Sequence, residues 1–299
     1  MKLILLIFLC TLCETILKTQ SMLQSKATQN LNREVILSSG LDGWDRDKLK
    51  KQFNAYAAYK NMNIITASSI LVYEIDEYGN LDTYNTTEPH LQAEEYQQSL
   101  QGLGLKSYPC IYCDATIGNC QNLGDRLKLL FSHQQNFINT TIERAKKYNW
   151  DGYTIDLEPD QEVDPKQVTD FILDWANALE QSGMSLYVWV GGNVPYDDRL
   201  LDTKNNIKLL TMSTYSSSYD EFIQSGADQL ISMRNSSNLG FGMLTSLIPG
   251  SMCPIYNIDD DTMKKITTWS RTTNTLGLSL WASTISPSWF NGLKFYLSE

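Results

Sequence analysis

Histidine is scarce in this 299-residue chain: there are two, His90 and His133, and neither lies beside a nucleophile-elbow pattern. Gly-x-Ser-x-Gly is absent, so a serine-hydrolase relay has no foothold. There is no Gly-x-Gly-x-x-Gly and no P-loop, which removes the usual phosphate cradles of nucleotide chemistry. Positive charge is also in short supply: 24 Lys and Arg face 34 Asp and Glu, a formal net charge of −10 with pI ≈ 4.8. Nucleic acid is therefore not an expected partner, because a phosphate backbone needs clustered basic side chains. No stretch approaches the roughly 18 apolar residues of a membrane helix, so no membrane partner is expected either. Cysteine is limited to six residues, two of them (Cys10 and Cys13) close to the N-terminus. The pair Cys110-x-x-Cys113 has no second closely spaced pair to complete a zinc site, and no metal is expected.

What remains is an ordinary globular composition, with 42% hydrophobic and 19% charged residues. Met1-Lys2 followed by an apolar run over residues 3–13 matches a signal peptide, taken as residues 1–20. Asn85-Thr86-Thr87, Asn139-Thr140-Thr141 and Asn235-Ser236-Ser237 are then N-glycosylation acceptors. Cys110, Cys113, Cys120 and Cys253 survive processing, an even count that fits two disulfides of undetermined pairing. These features together indicate a soluble glycoprotein, secreted or held in a lysosomal or vacuolar lumen.

From residue 34 strand-like and helix-like patterns alternate, which implies βα units and a parallel sheet. Strands are expected at residues 35–37, 64–73, 106–113, 152–157, 185–190, 207–215, 239–244 and 276–281. Helices are expected at 47–62, 92–103, 127–148, 167–179 and 219–231, with a last full helix at 262–272. Eight strands favour a closed α/β TIM barrel, (β/α)8, over residues 34–299 as one domain, and its size fits the usual length of about 250 residues. Tyr187 and Trp189 share a strand face and read as packing residues. Asp259-Asp260-Asp261 reads as a solvated lead into the last helix rather than a calcium loop.

The stretch from Trp150 to Pro159 carries the chemistry. Side chains alternate along a strand, so Thr154, Asp156 and Glu158 share one face while Ile155 and Leu157 take the other. In a barrel the polar trio points into the lumen, with Glu158 last, at the C-terminal rim where such barrels hold their active sites. Two carboxylates crowded there cannot both ionise cheaply, and a carboxyl that keeps its proton can act as a general acid. Spacing alone leaves open a solvated acid pair in a turn.

Asp151-Gly152-x-x-x-Asp156-x-Glu158 resembles the Asp-Gly-x-Asp-x-Asp-x-Glu signature of glycoside hydrolase family 18, the chitinases. Thr214-Tyr215 resembles the Met-Thr-Tyr-Asp motif that ends that family's sixth strand, and Trp281 sits where an aromatic ends its eighth. The resemblance implies a retaining, substrate-assisted hydrolase of β-1,4-linked N-acetylglucosamine, in chitin oligomers or the chitobiose core of N-glycans. It implies Glu158 as proton donor, Asp156 orienting the substrate acetamido group, Tyr215 holding its carbonyl, and Trp281 as the floor under the sugar. Thr154 lies behind Asp156, Asp151 and Gly152 are structural, and no cofactor is implied. The partner expected is an oligosaccharide containing N-acetylglucosamine, bound by a monomer.

Two positions depart from the pattern: Thr154 and Ser216 stand where the family has Asp. The alternative they raise is a catalytically inactive, chitinase-like carbohydrate-binding protein. Only about 30 residues separate the seventh and eighth strands, the length of one ordinary crossover, so no large insertion domain is expected there.

Overall fold

A computed structural model describes residues 33–39, 46–83, 93–115, 120–159, 162–190, 196–202, 207–211, 218–232, 238–244, 259–273, 275–281 and 284–298. Its strands are β1 (Glu34–Ser39), β2 (Ala67–Ile75), β3 (Leu81–Thr83), β4 (Lys106–Ser107), β5 (Cys110–Asp114), β6 (Gly152–Glu158), β7 (Ser185–Val190), β8 (Ile207–Thr211), β9 (Leu239–Leu244) and β10 (Gly277–Trp281). Neighbours run in the order β1-β10-β9-β8-β7-β6-β5-β2, all parallel, and β1 also pairs with β2. That last pairing closes the sheet into an eight-stave TIM barrel. β4 starts the third stave that β5 completes, and β3 folds back antiparallel on β2.

The helices among the described residues are α1 (Arg46–Asn61), α2 (Ala93–Gln101), α3 (Leu123–Ser132), α4 (Gln134–Tyr148), α5 (Pro165–Gln181), α6 (Tyr219–Ser232), α7 (Asp260–Thr272) and α8 (Phe290–Leu297). None of the described helices is long and apolar enough to cross a membrane.

Alternation along each strand divides the protein into two apolar layers. Val35, Leu37, Tyr153, Ile155, Leu157, Leu278 and Leu280 are buried between sheet and helices. Each full burial of a Leu, Ile or Val contributes about 1.5–3 kcal/mol. The opposite faces fill the lumen with Ile36, Ala67, Tyr108, Tyr187, Trp189 and Leu210. Gly152 opens β6 at φ 148, and a Cβ there would lie 1.9 Å from the Ser185 carbonyl oxygen, so only glycine allows β6 and β7 to meet.

The N-terminal end of the lumen is plugged by charge. Glu34, buried at the start of β1, accepts from Lys106 Nζ and from the Tyr187 hydroxyl, and Lys208 Nζ stands 3.9 Å away. Burial pushes its carboxyl up, but Lys208, Lys106 and Tyr187 outweigh this and hold it below the ordinary glutamate range. Tyr187 and Trp189 are both buried packing residues. Asp259 caps α7, its Oδ1 accepting from Thr262 N at 2.7 Å.

Several boundaries differ from those read in the sequence. Residues 127–148 form two helices, because His133 leaves the helical region at φ −140, ψ 33. The second stave starts at Ala67 rather than residue 64, since Asn63 (φ 55) and Ile64 complete the end of α1, with Ile64 N donating to Tyr59 O. Pro109, which has no N–H to give, separates β4 from β5. The helix at residues 262–272 is not the last, for α8 follows and packs on α7.

Of the two disulfides expected, the described residues hold one. Cys113 is bonded to Cys120, with Cα atoms 5.2 Å apart, whereas Cys110 is buried and free. Residues 110 and 113 fall on opposite faces of β5, so one points to the lumen and the other to the helices. Cys253 lies outside the described residues, as do His90, the sequon at Asn85 and the sequon at Asn235. Asn139 is exposed on α4, while the Thr141 hydroxyl of its sequon is buried and accepts from Trp175 Nε1 at 2.8 Å.

Candidate active site

β6 is flanked by β5 and β7, so its lumen face is built in rungs. Thr154 is level with Cys110 and Tyr187, Asp156 with Tyr112, and Glu158 with Asp114. Thr154 is fully buried, and its hydroxyl lies 2.7 Å from that of Ser69 on β2. Asp156 is 4% exposed, and Glu158, the last residue of the strand, is half-buried at the rim. The three side chains thus climb from dry lumen to open mouth. Below them Asp151 ties neighbouring staves together, its Oδ2 accepting from Ser107 N at 2.8 Å and its carbonyl from Ser185 N at 2.9 Å.

Trp281 ends β10 and is half-buried across the lumen from β5 and β6. Its ring centroid lies 6.4 Å from that of Tyr112 and 6.2 Å from that of Trp189, edge-on to the latter. The mouth is thereby floored with aromatic surface beside the acids. Tyr215, with Met212, Thr214 and Ser216, lies outside the described residues.

Burial is the first cause that raises the Asp156 carboxyl well above its usual range, and the negative charges of Glu158 and Asp114 add to it. The Glu158 carboxyl is also raised, by burial first and then by Asp114. Two buried polar atoms here have no hydrogen-bond partner: Asp156 Oδ1, an acceptor, and Trp189 Nε1, a donor. Buried groups of this kind are normally satisfied, which makes them capacity for a ligand. Among the described residues, no three His, Cys, Asp or Glu side chains are placed to share a metal ion.

The structure adds residues that the sequence does not single out. Asp114 is buried at the end of β5, with Oδ2 accepting from the Tyr112 hydroxyl at 3.0 Å. Burial and the Asp156 charge raise the Tyr196 phenol, whose hydroxyl reaches the Trp189 carbonyl at 3.4 Å. The alternation Tyr108, Cys110, Tyr112, Asp114 is the available signal for the first two, because it carries the lumen face one residue past the expected strand end at 113.

The fold occurs in known structures. The chain superposes on a chitinase from Chromobacterium violaceum with a TM-score of 0.68, 15% identity, and coverage of 89% of this chain and 99% of that one. Its fold is that of the family 18 chitinases. A family 18 chitinase from the chitin utilization locus of Flavobacterium johnsoniae gives a TM-score of 0.65 at 14% identity, covering 90% and 94% of the two chains. Catalytic domain 2 of the Ostrinia furnacalis Group II chitinase, in complex with penta-N-acetylchitooctaose, gives 0.58 at 12% identity over 84% and 90%. No family model and no curated protein matches the sequence.

Proposed function

We propose that this protein hydrolyses β-1,4-linked N-acetylglucosamine in chitin oligomers or the chitobiose core of N-glycans, retaining the anomeric configuration. The observation that carries the reading is the placement of Asp156 and Glu158 on one lumen face at the C-terminal rim, with a raised carboxyl at the exposed end. In the reaction Glu158 gives its proton to the glycosidic oxygen as the bond to the anomeric carbon breaks. The carbonyl oxygen of the substrate's own acetamido group attacks that carbon from the opposite face, closing a cyclic oxazolinium ion. Asp156 Oδ1 is the acceptor for the acetamido N–H and orients the attack, which answers its lack of a partner in the free protein. Glu158, now a carboxylate, takes a proton from water as the water reopens the ring, so two inversions give retention. Trp281 floors the sugar ring and Tyr215 holds the acetamido carbonyl, the latter a role taken from the resemblance alone. The signal-like leader and the net charge of −10 support action in a secretory or lysosomal lumen.

Thr154 in place of a carboxylate favours one rival, a carbohydrate-binding protein without catalysis. Chitotetraose incubated with the protein and followed by proton NMR separates the two. The proposed enzyme gives shorter oligomers whose first-formed anomer is β. Binding without product supports the rival, and the absence of both binding and product overturns the reading.

A further inference from the structure

Position 154 carries a hydroxyl, yet the centre still holds three carboxyl groups, because a neighbouring stave supplies one. Asp114 is the register partner of Glu158 on β5 and is 4% exposed. The Tyr112 hydroxyl fixes its Oδ2 at 3.0 Å. Ala115 N donates to the Glu158 carbonyl at 3.1 Å, so the two strand ends are tied at this rung. Adjacent strands run about 4.8 Å apart, which makes same-face side chains on one rung close neighbours.

We propose that Asp114 is a positioning residue of the proton-donor centre, a carboxyl on the next strand that adds to burial in holding the donor proton on Glu158. The inference rests on the reading of Glu158 as the donor, although its test does not need turnover.

Several described groups face this rung. Asp156 faces Glu158 along β6, Tyr112 and Cys110 face the group from β5, Tyr196 faces Asp156, and Trp281 covers the group from β10. Among the described residues, no Lys, Arg or His contributes to the shift of either Asp156 or Glu158. Among the described residues, Asp114 is a charge that acts on both carboxyls, and the larger effect of burial on Glu158 points the same way. Burial is the larger of the two causes that raise Glu158, and the loss of Asp114 removes the smaller.

The test is an infrared pH titration of the protonated-carboxyl band, in which subtraction of Glu158→Gln identifies the Glu158 signal. In Asp114→Asn its midpoint is expected to fall toward the ordinary glutamate value. Asp114→Ser, which also removes the charge, serves if the Asn variant does not fold. With a fluorogenic chitobioside, the alkaline limb of kcat/KM moves to lower pH by the same amount, and KM at acidic pH is unchanged. A purely structural Asp114 would lower the rate equally at every pH and leave the midpoint in place, and that result overturns the proposal. A shifted midpoint in a protein with no turnover upholds the role of Asp114 and sinks the glycosidase reading instead.

Discussion

The hydroxyls of Ser69 and Thr154 lie 2.7 Å apart inside the barrel, one rung below Asp156, where both side chains are sealed from water. Thr154→Val keeps the shape but leaves the Ser69 hydroxyl without this partner. The expected cost is about 1–3 kcal/mol, the range for an orphaned buried polar group, read by urea unfolding. The family 18 pattern has a carboxylate at this position, so Thr154→Asp is the sharper variant. A further acid in this dry layer is expected to destabilise the fold more than valine does, because burying a charge costs more than losing one hydrogen bond.

Asp156 sets a trade between stability and function. Its raised carboxyl means that the folded chain keeps a proton which the unfolded chain releases near the ordinary aspartate value. Its contribution to stability is thus complete below that ordinary value and is lost as pH rises through the raised one. Asp156→Asn is expected to be more stable than wild type at pH 7, with the gap closing near pH 3. Urea unfolding of the two proteins from pH 3 to 8 measures it. A gap that widens toward acid contradicts the electrostatics described for the site.

The Cys113–Cys120 bridge closes the segment that follows Asp114. For a sequence separation of seven, loop-closure entropy gives a loss of about 2.5 kcal/mol on Cys120→Ser. The same loss is expected when the wild type is unfolded under reducing conditions. No additional effect of reductant is expected on the serine variant.

At the other end of the lumen, Glu34→Leu strands Lys106 and Lys208. Breaking a buried ion pair costs roughly 3–5 kcal/mol, and the lower end applies here because the lysine side chains are 45% and 24% exposed. Thermal unfolding should shift accordingly. The pH dependence of turnover should not, since Glu34 and Glu158 sit at opposite ends of their strands.

Much of this architecture is legible in the sequence for a simple reason. Alternation is a local rule, so Asp156 and Glu158 can be assigned to one face without knowledge of their neighbours, and eight such strands leave few ways to close a sheet. What depends on pairing is not legible. Asp114 joins the site only because β5 runs in register with β6, and its distance from Glu158 along the chain hides that contact. The break at His133 carries neither Gly nor Pro to mark it. The disulfide is not legible either, since only the folded chain brings Cys120 to Cys113 and leaves Cys110 buried and free.

The central claim is that Glu158 delivers a proton from the rim of the barrel. Release of a fluorescent aglycone from a chitobioside, measured as kcat for wild type and Glu158→Gln between pH 4 and 8, tests it directly. The account predicts turnover by the wild type and a fall of about 10²–10⁴-fold in the variant, with KM little changed. Equal turnover by the two proteins would contradict it.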